Sequence, residues 1–288
     1  MNLPWIVVDV GNSATKLGIC DDPHTFPRPS RVLDMATSAR RGSPDPAENA
    51  SARRGSPDPA ETASRRSPES VLLGLESSLP EQPARWFVSS VHRQAEQRLA
   101  AWVSEQRPGD TYRLLTYRDL PLAVEVDYPE RVGLDRLATA VAANQLRQPS
   151  CGAIIVDSGT ALKVHAVAVN GAFLGGAILP GLAMAARALA NNTDLLPLVQ
   201  PASGDALPPA IGKSTEAAIR SGLFWGAVGA IKELIARIAA ELPDPQIFIT
   251  GGNAKNLTSL ISEKAQFVPD MALIGIALAA QARAGKND

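Results

Sequence analysis

Ile6-Val7-Val8-Asp9-Val10-Gly11 and Ile154-Ile155-Val156-Asp157-Ser158-Gly159 are the two stretches whose reading decides the fold. Each is a short β-branched apolar run, the composition of a buried strand, and each closes on Asp-x-Gly. With Asn12 treated as one extra residue, Ser13 falls on Thr160 and Lys16 on Lys163. Two copies are too few for a solenoid, which needs several stacked repeats to bury a core. A duplicated α/β chain fits instead, and if a pseudo-twofold axis relates the halves, both strand ends face one interdomain cleft.

Working outward, Ala14 to Cys20 resumes an apolar alternation, so the opening reads as a hairpin with a polar turn. Arg85 to Val91 reads as a strand, Gln94 to Glu105 as a helix and Tyr112 to Thr116 as a strand, the rhythm of an α/β domain. Leu134 to Leu146 has helical spacing of small apolar residues, with Asp135 and Arg136 on its first turn. In the second half the expected strands are Ala153 to Val156, Leu162 to Val169 and Gln246 to Thr250. Gly175-Gly176 and Pro180-Gly181 read as punctuation before a helix from Leu182 to Asn191. A long helix from Thr215 to Leu242 takes Ser214 as its N-cap, and two helices close the chain. The expected domains are 1–148 and 149–288. From about 38 to 68 the run Ser-Ala-Arg-Arg-Gly-Ser-Pro-Asp-Pro-Ala-Glu recurs, a low-complexity insert with almost nothing to fill a core.

The 28 basic and 29 acidic residues nearly cancel, which leaves no electrostatic footprint for nucleic acid or an anionic membrane. A small-molecule partner is the better expectation. Cys20 and Cys151 have neither metal-ligand spacing nor a disulfide framework, as in a reducing compartment. The opening shows no basic leader, and the late apolar run Met271 to Ala280 is far below the roughly 20 residues of a spanning helix. The reading is a cytoplasmic protein.

A turn of Gly, Asn, Ser and Thr offers backbone N–H groups and hydroxyls at close range, which suits phosphate oxygens. Two facing aspartates hold hydrated cations, which screen the phosphates of a nucleotide. Asp-x-Gly-x-Ser alone is an ordinary strand-to-turn sequence; its paired occurrence points to phosphoryl transfer.

Together with Gly133-Leu134-Asp135-Arg136, Gly175 to Gly181, Ile211 to Thr215 and Thr250-Gly251-Gly252, these motifs resemble the type III pantothenate kinases. That family belongs to the actin, hexokinase and Hsp70 superfamily. The resemblance implies two duplicated ribonuclease-H-like domains, an actin-like ATPase fold. It implies that Asp9, Val10, Gly11, Asn12, Ser13, Ala14, Thr15 and Lys16 form the first phosphate loop for ATP, that Thr160 touches ATP from the second, and that Asp157 holds a monovalent cation, K+ or NH4+. Gly133, Leu134, Asp135, Arg136 and Thr193 match the pantothenate site. ATP with Mg2+, pantothenate and a homodimer are the implied cofactors and partners. Physically, the Arg136 fork can pair with a substrate carboxylate, and Asp135 can accept the proton of the attacking hydroxyl.

The chain also departs from the family pattern. Val126 stands where an aromatic often lines the pantothenate pocket, with Tyr128 nearby, and Lys163 and His165 replace threonine and a small or acidic residue. Histidine is not needed there, so His165 reads as a packed or exposed residue. Lys16 and Lys163 are candidates to neutralise phosphate. The reading is an active pantothenate kinase; the alternatives are a non-catalytic regulatory or scaffold relative of the same fold and a kinase for another small hydroxy acid.

Overall fold

The computed structural model describes residues 3–22, 28–37, 76–200, 207–252 and 254–287. The low-complexity stretch expected at about 38–68 lies outside the described residues. The chain forms two compact units, Met1–Leu114 and Leu115–Asp288.

The first unit is built on β1 (Trp5–Val10), β2 (Ala14–Cys20), β3 (Arg31–Ala36), β4 (Arg85–Ser90), α1 (Arg93–Gln106) and β5 (Thr111–Leu114). Its sheet runs β3-β2-β1-β4-β5, with β1, β4 and β5 parallel and β2 antiparallel to both its neighbours. One sheet face sends Ile6, Val8, Leu17, Ile19, Trp86 and Val88 into a core that α1 closes with Ala95, Leu99, Trp102 and Val103. Those four recur at the helical period, so a single stripe of α1 is apolar. Each large side chain buried there contributes about 1.5–3 kcal/mol relative to exposure. The carboxylate of Asp110 fastens β4 to the turn before β5: it accepts the Trp86 indole N–H at 2.7 Å, the Ala84 amide at 2.9 Å and the Arg107 guanidinium at 2.9 Å.

The second unit repeats the plan. Its strands are β6 (Ala153–Ser158), β7 (Ala161–Val167), β8 (Phe173–Pro180), β9 (Gln246–Thr250) and the two-residue β10 (Gln266–Phe267). Its helices are α2 (Leu134–Leu146), α3 (Leu182–Asn191), α4 (Thr215–Ala239), α5 (Lys255–Ile261) and α6 (Met271–Asn287). The sheet order β8-β7-β6-β9-β10 is that of the first unit, strand for strand. Both units are therefore ribonuclease-H-like. Asp9 pairs with Lys16 and Asp157 with Lys163, separations of 16 − 9 = 7 and 163 − 157 = 6, so the first hairpin holds the one extra residue expected at Asn12.

Side chains alternate across a strand, and the two faces of β6 and β7 are differently used. Ile154, Val156, Leu162 and Val164 pack on Phe224, Val228 and Ile231 of α4. The opposite face carries Asp157, Lys163 and His165, and α2 lies over β6 and β7. α2 buries Leu137, Ala138, Ala140, Val141, Ala142 and Ala143, and its small residues admit α6 at close range. A Cβ placed on Gly275 of α6 would stand 1.8 Å from Ala138 O.

Gly175 and Gly176 differ from expectation. They do not punctuate a turn but lie inside β8, at φ +101° and +147°, beside an irregularity in the pairing with β7. A Cβ on Gly176 would meet Val164 O at 2.0 Å, so the bulged strand admits no side chain there. Ser214 caps α4 as expected, accepting the Ala217 amide at 3.2 Å, and a Cβ on Gly212 would meet Ala218 N at 2.2 Å. The Ile211-Gly212-Lys213-Ser214-Thr215 motif is thus accounted for as a helix entry.

Candidate active site

The carboxyl end of β6 is crowded with backbone. The turn after it is closed by Gly159 N donating to Ala161 O at 3.2 Å, and Gly181 N donates to Thr160 O at 3.2 Å. A Cβ on Gly181 would lie 2.4 Å from Thr160 O, and one on Gly251, which has φ +101°, would lie 2.5 Å from Ser158 O. Thr160, Gly181 and Gly251 therefore bring the ends of β6, β8 and β9 together with no room for side chains between them. Thr250, opposite Asp157 in the β6–β9 register, is buried, as is Ser89 opposite Asp9.

Around this end stand five charged or titratable side chains. Lys163 Nζ donates to Asp157 Oδ2 at 2.6 Å and to Asp135 Oδ2 at 2.7 Å, with all three side chains at most 17% exposed. Charge-assisted bonds of this length are the strong kind. Burial works against the charged ammonium, but the charges of Asp157 and Asp135 and their hydrogen bonds outweigh it and raise the Lys163 pKa above its ordinary value. Lys163 is a cation throughout the physiological range. Lys163 does not stand on a solvated strand face: it joins the candidate base to the candidate ion ligand. The carboxylate expected to hold a free K+ or NH4+ ion is accordingly bonded to a tethered ammonium, which it shares with Asp135.

Arg136 follows Asp135 on the first turn of α2, whose N-cap is Gly133. The segment before it is stitched to β8: Phe173 N donates to Ala123 O at 2.8 Å and Glu125 N to Phe173 O at 2.9 Å. This holds the Phe173 ring under the Arg136 guanidinium, 5.4 Å from Cζ to the centroid. Burial lowers the Arg136 pKa against the opposing pull of Asp135. Its Nε is buried and meets no acceptor among the described residues. A half-buried guanidinium with one buried, unused donor has the chemistry that suits a carboxylate.

His165 is fully buried, tilted on Phe173 at 5.8 Å, and neither ring nitrogen has a partner among the described residues. Burial, with the charges of Arg136 and Lys163, holds its pKa well below 6.5, so it is neutral in the folded protein. The folded value lies below the unfolded one, so stability present above about pH 6.5 is lost as the pH falls, at about 1.4 kcal/mol per unit until the folded pKa is reached. Urea unfolding at pH 7, 6 and 5 is expected to show that slope in excess over His165→Asn; equal slopes in the two proteins would contradict it.

The remaining expected residues fall as follows. In the first unit Asn12, Ser13 and Ala14 are exposed on the turn, whereas Val10 is in the core and its carbonyl accepts the Val91 amide at 3.0 Å. Gly11 N closes the turn on Ala14 O at 3.0 Å. Thr15 is buried and shares a hydrogen bond with Thr37 at 3.1 Å between hydroxyls. Lys16 lies 3.8 Å from Asp34. In the second unit Thr193 is exposed at the end of α3 and donates to Leu189 O at 2.8 Å. The Cγ1 of Val126 would be 3.5 Å from a Cβ on Gly175, and Tyr128 is exposed beneath Arg131, with Cζ 4.5 Å from its ring centroid.

Two ribonuclease-H-like units, each with an aspartate at the carboxyl end of its first strand, define the actin- and hexokinase-like class of phosphotransferase folds. A solved structure from Sinorhizobium meliloti, provisionally named a 2-dehydro-3-deoxygalactonokinase, shares this fold at TM-score 0.55 over 97% of this chain and 96% of that one, with 16% sequence identity. Within that class, the chain belongs to the type III pantothenate kinase family, which is matched over residues 5–237. A type III pantothenate kinase of Alkalilimnicola ehrlichii is 33% identical over 278 residues, covering 95% of this chain and 96% of the relative. One of Legionella pneumophila strain Paris is 42% identical over 165 residues, 55% of this chain and 61% of the relative. Among the described residues, no helix is long and apolar enough to cross a membrane.

Proposed function

We propose that this protein phosphorylates pantothenate with ATP, giving 4′-phosphopantothenate and ADP in coenzyme A biosynthesis. The observation that carries the reading is the pair on the first turn of α2. Asp135 places a carboxylate at the site, and the next residue, Arg136, presents a half-buried guanidinium whose buried Nε has a donor to spare. A base beside an anion receptor suits a substrate with a hydroxyl at one end and a carboxylate at the other.

In this reading the substrate carboxylate pairs with Arg136, and Gly133, Leu134 and Thr193 complete the pantothenate contacts. ATP enters as its magnesium complex, its phosphates held by the turn from Asp9 to Lys16 and by Thr160. The primary hydroxyl oxygen forms a bond to the γ-phosphorus as the bond to the β-bridging oxygen breaks, and Asp135 Oδ1 takes the hydroxyl proton. Lys163, on Oδ2 of the same carboxylate, fixes its rotamer. A cytoplasmic homodimer belongs to the same reading. What supports it is the exposure of several large apolar side chains, Ile178, Leu195, Leu198 and Ile211 at 58% to 90%.

Purified protein with magnesium-ATP is expected to release ADP only when pantothenate is added, with the phosphorylated product identified by mass. A folded protein that releases none overturns the proposal. Light scattering on the same sample is expected to give twice the chain mass.

A further inference from the structure

The ion expected at Asp157 and the side chain found there compete for the same place. Lys163 Nζ sits 2.6 Å from Asp157 Oδ2 and 2.7 Å from Asp135 Oδ2, so one nitrogen bridges both carboxylates in the manner of a coordinated ammonium ion. The register fixes this. Lys163 is directly opposite Asp157 on the antiparallel neighbour and projects on the same face of the sheet, under the first turn of α2. Among the described residues, no three His, Cys, Asp or Glu side chains gather that could hold a metal ion elsewhere. The Lys163 ammonium carries the same single charge as potassium and, being tethered, is present at an effective concentration no buffer ion matches.

We propose that Lys163 is the resident monovalent cation of this protein, replacing a free K+ or NH4+ ion, and that phosphoryl transfer here proceeds without one. The inference rests on the proposed kinase activity for its functional half, while the replacement of the ion stands on the geometry alone.

The test uses the full chain in tetramethylammonium, sodium, potassium and ammonium chloride at one ionic strength, with rates and melting temperatures measured in each. The parent is expected to turn over and to melt equally in all four. Lys163→Ala, which removes the ammonium and leaves room, is expected to lose about 30-fold or more in tetramethylammonium, the scale for truncating one partner of a buried charge pair. It should regain rate in ammonium or potassium, and those ions should raise its melting temperature, since a ligand bound only by the folded state stabilises it. Lys163→Met, which fills the space without the charge, should gain neither.

A parent that needs potassium or ammonium for turnover overturns the proposal, as does a Lys163→Ala protein that folds but responds to no ion. Should Lys163→Ala fail to fold, Lys163→Thr and the parent's own salt series decide. A parent inactive in every salt counts against the kinase reading, and the melting temperatures then decide the ion question separately.

Discussion

Asp135→Asn is expected to lower kcat by about 10²–10⁴-fold, the range attributed to a positioned general base, while the KM for pantothenate changes little. Asn has the shape of Asp and keeps an acceptor oxygen toward Lys163, and Lys163 retains Asp157 at 2.6 Å. The fold and the placement of Arg136 are therefore preserved. What Asn cannot do is accept a proton at neutral pH, so the loss falls on the transition state alone, and kcat and kcat/KM should drop together. Steady-state ADP release, with the melting curve as a folding control, measures this. Undiminished turnover would remove Asp135 from the chemistry and leave it as a partner of Lys163 only.

The strands that frame this site were legible because they are buried on both faces: β1 and β6 announce themselves as unbroken β-branched runs. The polar edge strand β3, Arg31–Ala36, lacks that signal, and β8 hides behind Gly175-Gly176, which resemble a turn in sequence and are a bulge in space. The role of Lys163 escaped for a different reason. A lysine on a strand is ordinarily solvated, and only α2, arriving from 28 residues earlier, turns that face into an interior. Yet part of the signal was present. Once the hairpin register is counted from the turn, Lys163 must stand opposite Asp157, and its departure from threonine puts a charge where the family pattern has a hydroxyl. The sequence leaves His165 either packed or exposed, and the packed alternative is the one found; the Phe173 ring that lies against it comes from the strand the glycines conceal.

Gly275→Ala is expected to show that the site is held by a backbone contact between α6 and α2. The added Cβ would lie 1.8, 2.5 and 2.9 Å from O, C and Cα of Ala138, and none of these atoms can rotate away. The two helices must part. Overpacking of this kind costs about 3 kcal/mol, against a gain of about 1 kcal/mol from replacing a helical glycine. The net loss corresponds to a melting temperature lower by about 4–8 °C for a unit of this size. Gly226→Ala is the contrast: it also lies in a helix, α4, but nothing stands within 4 Å of its Cβ, so the helical gain is unopposed and the protein should melt about 2–4 °C higher. Ala138 is one turn beyond Asp135 on α2, so separating α6 from α2 carries the carboxylate with it. A displacement near 1 Å is enough to cost about 10²-fold in rate. Gly275→Ala should thus lose turnover as well as stability, whereas Gly226→Ala should change stability alone. If both variants melted higher than the parent, α2 and α6 would not be in the contact that fixes Asp135.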